Sequence, residues 1–167
     1  MLETNEYNAY YGNYISLSKN VKLLDGLESS FDKTLELFES ITADKLSYRY
    51  ADGKWTIKEI IQHIIDTERV FCYRALCFAR KDKVELPGFN QDDYLANSEV
   101  SSRSKDELLA EYKAVRAATR VLFGSFTNTM MLQIGVASNS PLSVRAAGYI
   151  IIGHETHHCN IIKERYF

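Results

Sequence analysis

The sequence predicts an all-α protein, folded as a four-helix bundle. Three observations carry that expectation. Long segments place apolar residues every three to four positions, two of these segments open with a capping-box signature, and only two prolines occur in 167 residues to interrupt them. No strand alternation, internal repeat or low-complexity tract competes. One domain is expected over residues 1–167, and a chain of this length buries roughly 70% of its unfolded-chain surface, enough to fold without disulfides.

The first helix is expected from about Ser16 to Ile41, where Leu17, Val21, Leu24, Leu27, Phe31, Leu35 and Phe38 keep helical spacing. The second opens at Thr56-Ile57-Lys58-Glu59, whose hydroxyl and carboxylate satisfy free backbone donors, and continues through Ile60, Ile61, Ile64, Ile65, Phe71, Leu76 and Phe78 to about Arg80. The third opens at Ser104-Lys105-Asp106-Glu107 and reaches about Phe126. The fourth starts near Ser143 and ends near Arg165. Aromatic residues between Tyr7 and Trp55 suggest an N-terminal arm packed on the bundle, with Trp55 as a hydrophobic staple or pocket-lining residue.

The longest connection, Lys81 to Arg103, carries turn signals at Leu86-Pro87-Gly88 and Asn90-Gln91-Asp92-Asp93. An extended chain covers ~3.3 Å per residue, whereas a helix of ~24 residues spans only ~36 Å. This connection can therefore cross the bundle, leaving the second and third helices parallel, unlike a simple up-down-up-down arrangement.

Lys+Arg 20 against Asp+Glu 22 gives a net charge of −2. That balance excludes the basic footprint of a nucleic-acid binder. The longest apolar run, Ala146 to Ile152, falls far short of the ~20 residues of a membrane span. The N-terminal residues lack the features of a signal peptide, and the three cysteines are unpatterned, so a reducing cytoplasm is the simplest reading.

The histidines carry the functional signal. Three of the four lie within His154-Glu155-Thr156-His157-His158, and the fourth, His63, lies on the second helix. Residues four apart on a helix share a face, so His154 and His158 form a pair of metal-ligand type, whereas His157 points elsewhere. The alternative is an exposed histidine face near a helix C-terminus, but Ile150, Ile151, Ile161 and Ile162 argue that this segment is buried. His63 sits where an apolar stripe meets polar groups and is the remaining histidine able to complete a three-ligand site. Asp66, one turn on, is a candidate fourth ligand or an acceptor that orients a ligand imidazole. Ligand imidazoles must be neutral, so metal affinity is expected to fall as pH drops through about 6.5.

The same string matches H-E-x-x-H, in which Glu155 would be a general base. That motif needs a third ligand downstream, and too little chain follows His158 to supply one. A di-iron carboxylate bundle needs two E-x-x-H motifs and further glutamates, and only Glu155 with His158 supplies one. Asp66 and Glu155 remain the candidate catalytic groups. Imidazole donors suit several transition metals, so one divalent Zn, Ni or Fe is the expected cofactor.

The segments Gly53-Lys54-Trp55-Thr56-Ile57-Lys58-Glu59-Ile60-Ile61-Gln62-His63-Ile64-Ile65-Asp66 and Gly153-His154-Glu155-Thr156-His157-His158-Cys159-Asn160-Ile161-Ile162-Lys163 resemble the two signature regions of the DinB/YfiT-like metalloenzymes, the DinB superfamily. The likeness extends over nearly the whole chain, including Leu86-Pro87-Gly88-Phe89 and Ser143-Val144-Arg145-Ala146. It implies a bundle with parallel second and third helices, a divalent metal at His63, His154 and His158, and often a homodimer. Characterised relatives include transferases and isomerases that use low-molecular-weight thiols such as mycothiol, bacillithiol or glutathione, the metal activating the thiol. The leading expectation is an enzyme whose metal activates a thiol cofactor or water for transfer or hydrolysis on a small-molecule substrate. A non-catalytic metal-binding or stress-related interaction module on the same fold is the alternative. A coordination position open to a pocket favours the enzyme, and a site closed by protein ligands favours the module.

Overall fold

The computed structural model describes residues 2–167. Four long helices form the bundle: α2 (Leu23–Ser40), α3 (Ile57–Ala79), α5 (Lys105–Gly124) and α7 (Val144–Arg165). Three shorter ones, α1 (Gly12–Ser18), α4 (Gln91–Ala96) and α6 (Asn128–Met131), lie in the N-terminal arm and the connections. Both expected capping boxes form. The Thr56 and Ser104 hydroxyls accept from the backbone N–H of Glu59 and Glu107 at 3.2 Å, and each glutamate accepts in return from the cap backbone.

Side-chain pairing gives the helix directions. Lys58, Gln62, Arg69 and Cys72 on α3 meet Arg103, Glu111 and Thr119 at or along α5 in the same order, so these two helices run parallel. Val21 with Tyr149, Thr34 with Cys159 and Lys45 with Tyr166 make α2 and α7 parallel as well. The two pairs oppose one another: Glu39 meets Lys105 while Arg120 reaches Glu28, and Trp55 meets Tyr166 while His63 meets His154. The Lys81–Arg103 connection makes the crossover that the parallel α3 and α5 require, and it holds α4 on its way.

The sequence differs from this architecture in two places. The expected first helix is broken after Ser18, and Lys22 caps α2 in extended conformation. The broken-off α1 packs on α7, where Gly153 makes the approach possible: a Cβ there would lie 1.9 Å from the Tyr14 carbonyl oxygen. The Ser18 hydroxyl donates back to the carbonyls of Tyr14 and Ile15, helping to end the helix. Leu17, Val21 and Leu24, which continue the apolar stripe on paper, are left substantially exposed at this hinge. The second difference is a β-hairpin, β1 (Ile134–Ala137) with β2 (Ser140–Ser143), where no strand is expected. Ser138 and Asn139 both adopt positive φ, the conformation of a tight two-residue hairpin turn. Leu86 of the crossover pairs with Ala137, so the hairpin anchors the crossover to the bundle.

The buried apolar residues form two clusters rather than one. Phe71, Phe78, Phe123 and Ile150 belong to the first, and Phe38, Ile61, Ile64, Leu108 and Ile162 to the second. Between them runs a polar layer to which each bundle helix contributes: Ser30 and Thr34, His63, Thr67 and Glu68, Arg116 and Thr119, His154 and Glu155. Arg116 spans that layer. Its guanidinium donates to both carboxylate oxygens of Glu68 at 2.8 and 2.9 Å, to Glu155 Oε1 at 2.9 Å, and to the Leu27 carbonyl and the Ser30 hydroxyl. Tyr112 also donates its hydroxyl to Glu155 Oε1.

Replacing Arg116 by Met should destabilise the fold by about 3–5 kcal/mol, because it strands two buried carboxylates without their cation. Adding Glu68→Gln and Glu155→Gln should recover much of that loss. Urea unfolding that shows a loss below about 1 kcal/mol for Arg116→Met would mean the layer is solvated and not a buried ion network.

Candidate metal centre

Helices α3 and α7 run antiparallel and in contact, which brings His63 opposite the His154/His158 face. The Nε2 atoms of His63 and His154 are 2.9 Å apart, and those of His158 and His154 are 3.1 Å apart. One donor atom from each of the three histidines lies within 4.8 Å of the other two, and no other acidic or thiol group joins them among the described residues. A tetrahedral ion with metal–nitrogen bonds of ~2.0–2.1 Å spaces its nitrogens about 3.3 Å apart. The donor set therefore fits a divalent ion with small side-chain adjustments. It fits poorly as a hydrogen-bonded group, because His154 Nε2 faces two nitrogens and a neutral imidazole carries one N–H.

The surroundings hold the rings in place. The Trp55 indole lies 4.8 Å from the His63 ring and stacks on His158 at 6.2 Å, measured between centroids, which gives this residue the pocket-lining role rather than a staple alone. Its carbonyl accepts from the Tyr166 hydroxyl at 2.6 Å. Tyr14, carried by α1, packs edge-on against His154. Thr67, one turn beyond His63, places its hydroxyl 3.4 Å from His63 Nδ1 and so bears on the ring's tautomer and orientation. His157 packs on Tyr14 and His158 outside the cluster.

Neither candidate carboxylate joins the three histidines. Asp66 accepts from the Gln62 side-chain amide at 2.9 Å, on the side of α3 that faces the Arg103–Glu111 pair. Burial raises its pKa. Glu155 points into the bundle toward Arg116 and Tyr112, and there too burial raises the pKa, more than Arg116 lowers it. The residues that sequence reasoning passes over are those that shape the cavity beside the histidines. It encloses about 440 Å³, and His63, Thr67, Phe71, Arg74, Asp92 and His154 are among its walls. Asp92 is the carboxylate in that lining, contributed by the crossover through α4. A smaller cavity of about 280 Å³, on the Trp55 side, meets His158 and His157. The cysteines are elsewhere: Cys72 and Cys159 contact Thr119 and Thr34, and burial pushes each thiol up to about 12.

Burial also moves the histidines, in the opposite direction. Desolvation lowers the His63 pKa to about 4, partly countered by Asp92. Desolvation, reinforced by His63 and His157, lowers that of His158 to about 3, and that of His154 falls well below the ordinary value. The imidazoles thus remain neutral well below the pH of about 6.5 expected from an unperturbed histidine.

The comparisons with known proteins agree with this architecture. The family model of the DinB superfamily matches residues 27–162. YfiT from Bacillus subtilis, described as a probable metal-dependent hydrolase with an unusual four-helix bundle topology, superposes with a TM-score of 0.69 at 15% identity, covering 98% of this chain and 90% of its own. A mycothiol-dependent maleylpyruvate isomerase superposes with a TM-score of 0.71 at 10% identity, covering 85% of this chain and 61% of its own, so the present chain spans less than two thirds of that protein. Comparison with curated protein sequences gave no match. At these identities the structural likeness establishes the fold alone.

A pH dependence of the metal-free fold follows from the lowered histidine values. Unfolding releases the three imidazoles into water, where they bind protons below about pH 6.5. The unfolded chain then holds more protons than the folded one, so stability falls as pH drops from about 6.5 toward 4, by up to about 1.4 kcal/mol per pH unit for each histidine. Urea midpoints of metal-free protein at pH 7, 6 and 5 should fall in that order, and His63→Ala should weaken the slope. An identical slope in the variant would place the responsible groups elsewhere.

Proposed function

We propose that this chain, which belongs to the DinB superfamily, is a metal-dependent enzyme acting on a small molecule held in the cavity beside His63 and His154. The observation that carries this reading is the placement of the donor set. Of three neutral histidines, with no fourth protein ligand among the described residues, His63 and His154 stand in the wall of a cavity large enough for a small organic molecule, and His158 meets a smaller one on the Trp55 side. A structural site would be closed by protein ligands, whereas a catalytic one keeps a position open. A divalent ion held by His63, His154 and His158 would supply the Lewis acidity that makes a thiol or water nucleophilic near neutral pH.

The chain's own groups define the remaining roles. None of its three thiols joins the histidine cluster: Cys72 and Cys159 contact threonines and Cys77 is buried in the apolar core, so a sulfur nucleophile would have to come from a small molecule. Thr67 orients His63, while Trp55 and Tyr14 exclude water from the faces of the rings. Asp92, the carboxylate that shares the cavity lining with His63 and His154, would receive the proton that an entering thiol or water loses. Thiol transfer and hydrolysis both use this arrangement. We assign thiol transfer as the leading reaction, since an ion held by three neutral ligands keeps a net positive charge that draws a thiolate.

The test is conjugation of a generic electrophile, 1-chloro-2,4-dinitrobenzene, with a panel of low-molecular-weight thiols, in parallel with hydrolysis of p-nitrophenyl acetate. Metal-loaded wild type should conjugate at least about tenfold faster than both metal-free wild type and His63→Ala. Asp92→Asn should slow the reaction while retaining the metal. Hydrolysis alone showing that pattern would make water the nucleophile. Neither reaction showing it would favour the non-catalytic module.

A further inference from the structure

Two arginines of this chain are almost fully buried, and they are buried differently. Arg116 is 1% exposed and is held by two carboxylates. Arg74 is 2% exposed, and no carboxylate lies within 4.0 Å of it among the described residues. Arginine is rarely buried to that degree without an anionic partner, because desolvating its charge is costly. The partners Arg74 does have are neutral: its Nη2 donates to the Pro87 carbonyl and to the Ser138 hydroxyl, both at 3.0 Å. Neither Nε nor Nη1 makes a hydrogen bond to another of the described residues. The guanidinium carbon lies 5.1 Å from the centroid of Phe71 and 5.9 Å from that of Phe89, so two aromatic rings flank it.

Position gives this cation a meaning. Arg74 lines the same cavity as His63 and His154. His63, Thr67 and Arg74 fall at i, i+4 and i+11 on α3, within about 40° of one line along the helix, and His63 and Arg74 are about 16 Å apart along its axis at the backbone. The Arg74 side chain leans back toward the N-terminus and shortens that gap. The cavity thus has a histidine end and a guanidinium end. The two loops that grip Arg74, at Pro87 and Ser138, are the crossover and the hairpin turn, which Leu86 and Ala137 join. Asp92 shares the lining but is exposed and not paired with the guanidinium.

We propose that Arg74 is a substrate-anchoring residue, and that the cavity takes an elongated organic carboxylate whose anionic end binds the guanidinium while its reacting end faces the histidines. The class of substrate rests on the enzymatic reading above, but the anion site itself does not. With Nη2 held by Pro87 and Ser138, Nε–H and Nη1–H remain as single donors to an anion, and the flanking rings favour a planar anion over a tetrahedral one.

The test uses metal-free wild-type protein, so its outcome is independent of whether a metal binds. The probes are 3-phenylpropanoate, its uncharged amide and inorganic phosphate, titrated while the Arg74 Nε–H resonance is followed by NMR. The carboxylate should bind at least about tenfold tighter than the amide and shift that resonance, with phosphate weaker than the carboxylate. Arg74→Gln should lose the preference, and Arg74→Lys should retain part of it. A preference that survives Arg74→Gln, a wild type that does not distinguish carboxylate from amide, or phosphate binding as tightly as carboxylate would overturn the proposal. Should Arg74→Gln fail to fold, an Arg74 resonance in wild type that is unmoved by saturating carboxylate would overturn it equally.

Discussion

Arg116 lies at the centre of this structure. One guanidinium reaches the carbonyl end of a turn in α2, a carboxylate on α3 and a carboxylate on α7, while belonging to α5. Four helices are thereby tied at one level by bonds that tolerate little displacement. Two apolar clusters, above and below, supply the hydrophobic driving force, but apolar contacts alone would allow the helices to slide or rotate by small steps. The buried ion network removes that freedom, because any shift leaves a charge without its partner.

The histidines inherit this constraint. Glu68 follows Thr67, which touches His63, and Glu155 follows His154. Holding both glutamates on Arg116 fixes the axial register of α3 against α7, and with it the convergence of three imidazole nitrogens. The layer is not fully satisfied: burial, and Glu68 sharing the one cation, raise the pKa of Glu155, whose Oε2 has no hydrogen-bond partner among the described residues. The same low polarity keeps the histidines neutral, which is the state a metal ligand needs. Fold and site thus draw on one feature, a polar layer sealed between two apolar ones.

Much of this was legible in the sequence, and the limits of legibility have physical causes. α3, α5 and α7 each begin at a side-chain cap and carry a long apolar stripe, two signals that reinforce one another. The histidine cluster was legible because the i, i+4 pair needs no knowledge of tertiary structure. The break between α1 and α2 was not, since the apolar spacing continues across it and the deciding contact, Tyr14 on Gly153, joins residues far apart in the chain. The hairpin was missed because four-residue strands are too short to show alternation. Glu155 reads as a candidate catalytic group, and Arg116 and Glu68 belong to no motif, although Arg116 lies on the stripe of Leu108, Tyr112, Thr119 and Phe123, and that placement was the available signal. Arg74 and Asp92 owe their significance to a cavity that forms only once the crossover and the hairpin are in place.

The central claim is that His63, His154 and His158 hold a single divalent metal ion, and that the neighbouring His157 does not. Metal content per chain, measured by inductively coupled plasma mass spectrometry on protein purified without an affinity tag, addresses it most directly when wild type is compared with His158→Ala and His157→Ala. The structure predicts about one ion per chain in wild type and in His157→Ala, and a loss of at least about tenfold in His158→Ala, with helical content preserved in each because the apolar clusters remain intact. Equal metal content in the two variants, or none in wild type supplied with Zn, Ni or Fe, would contradict it.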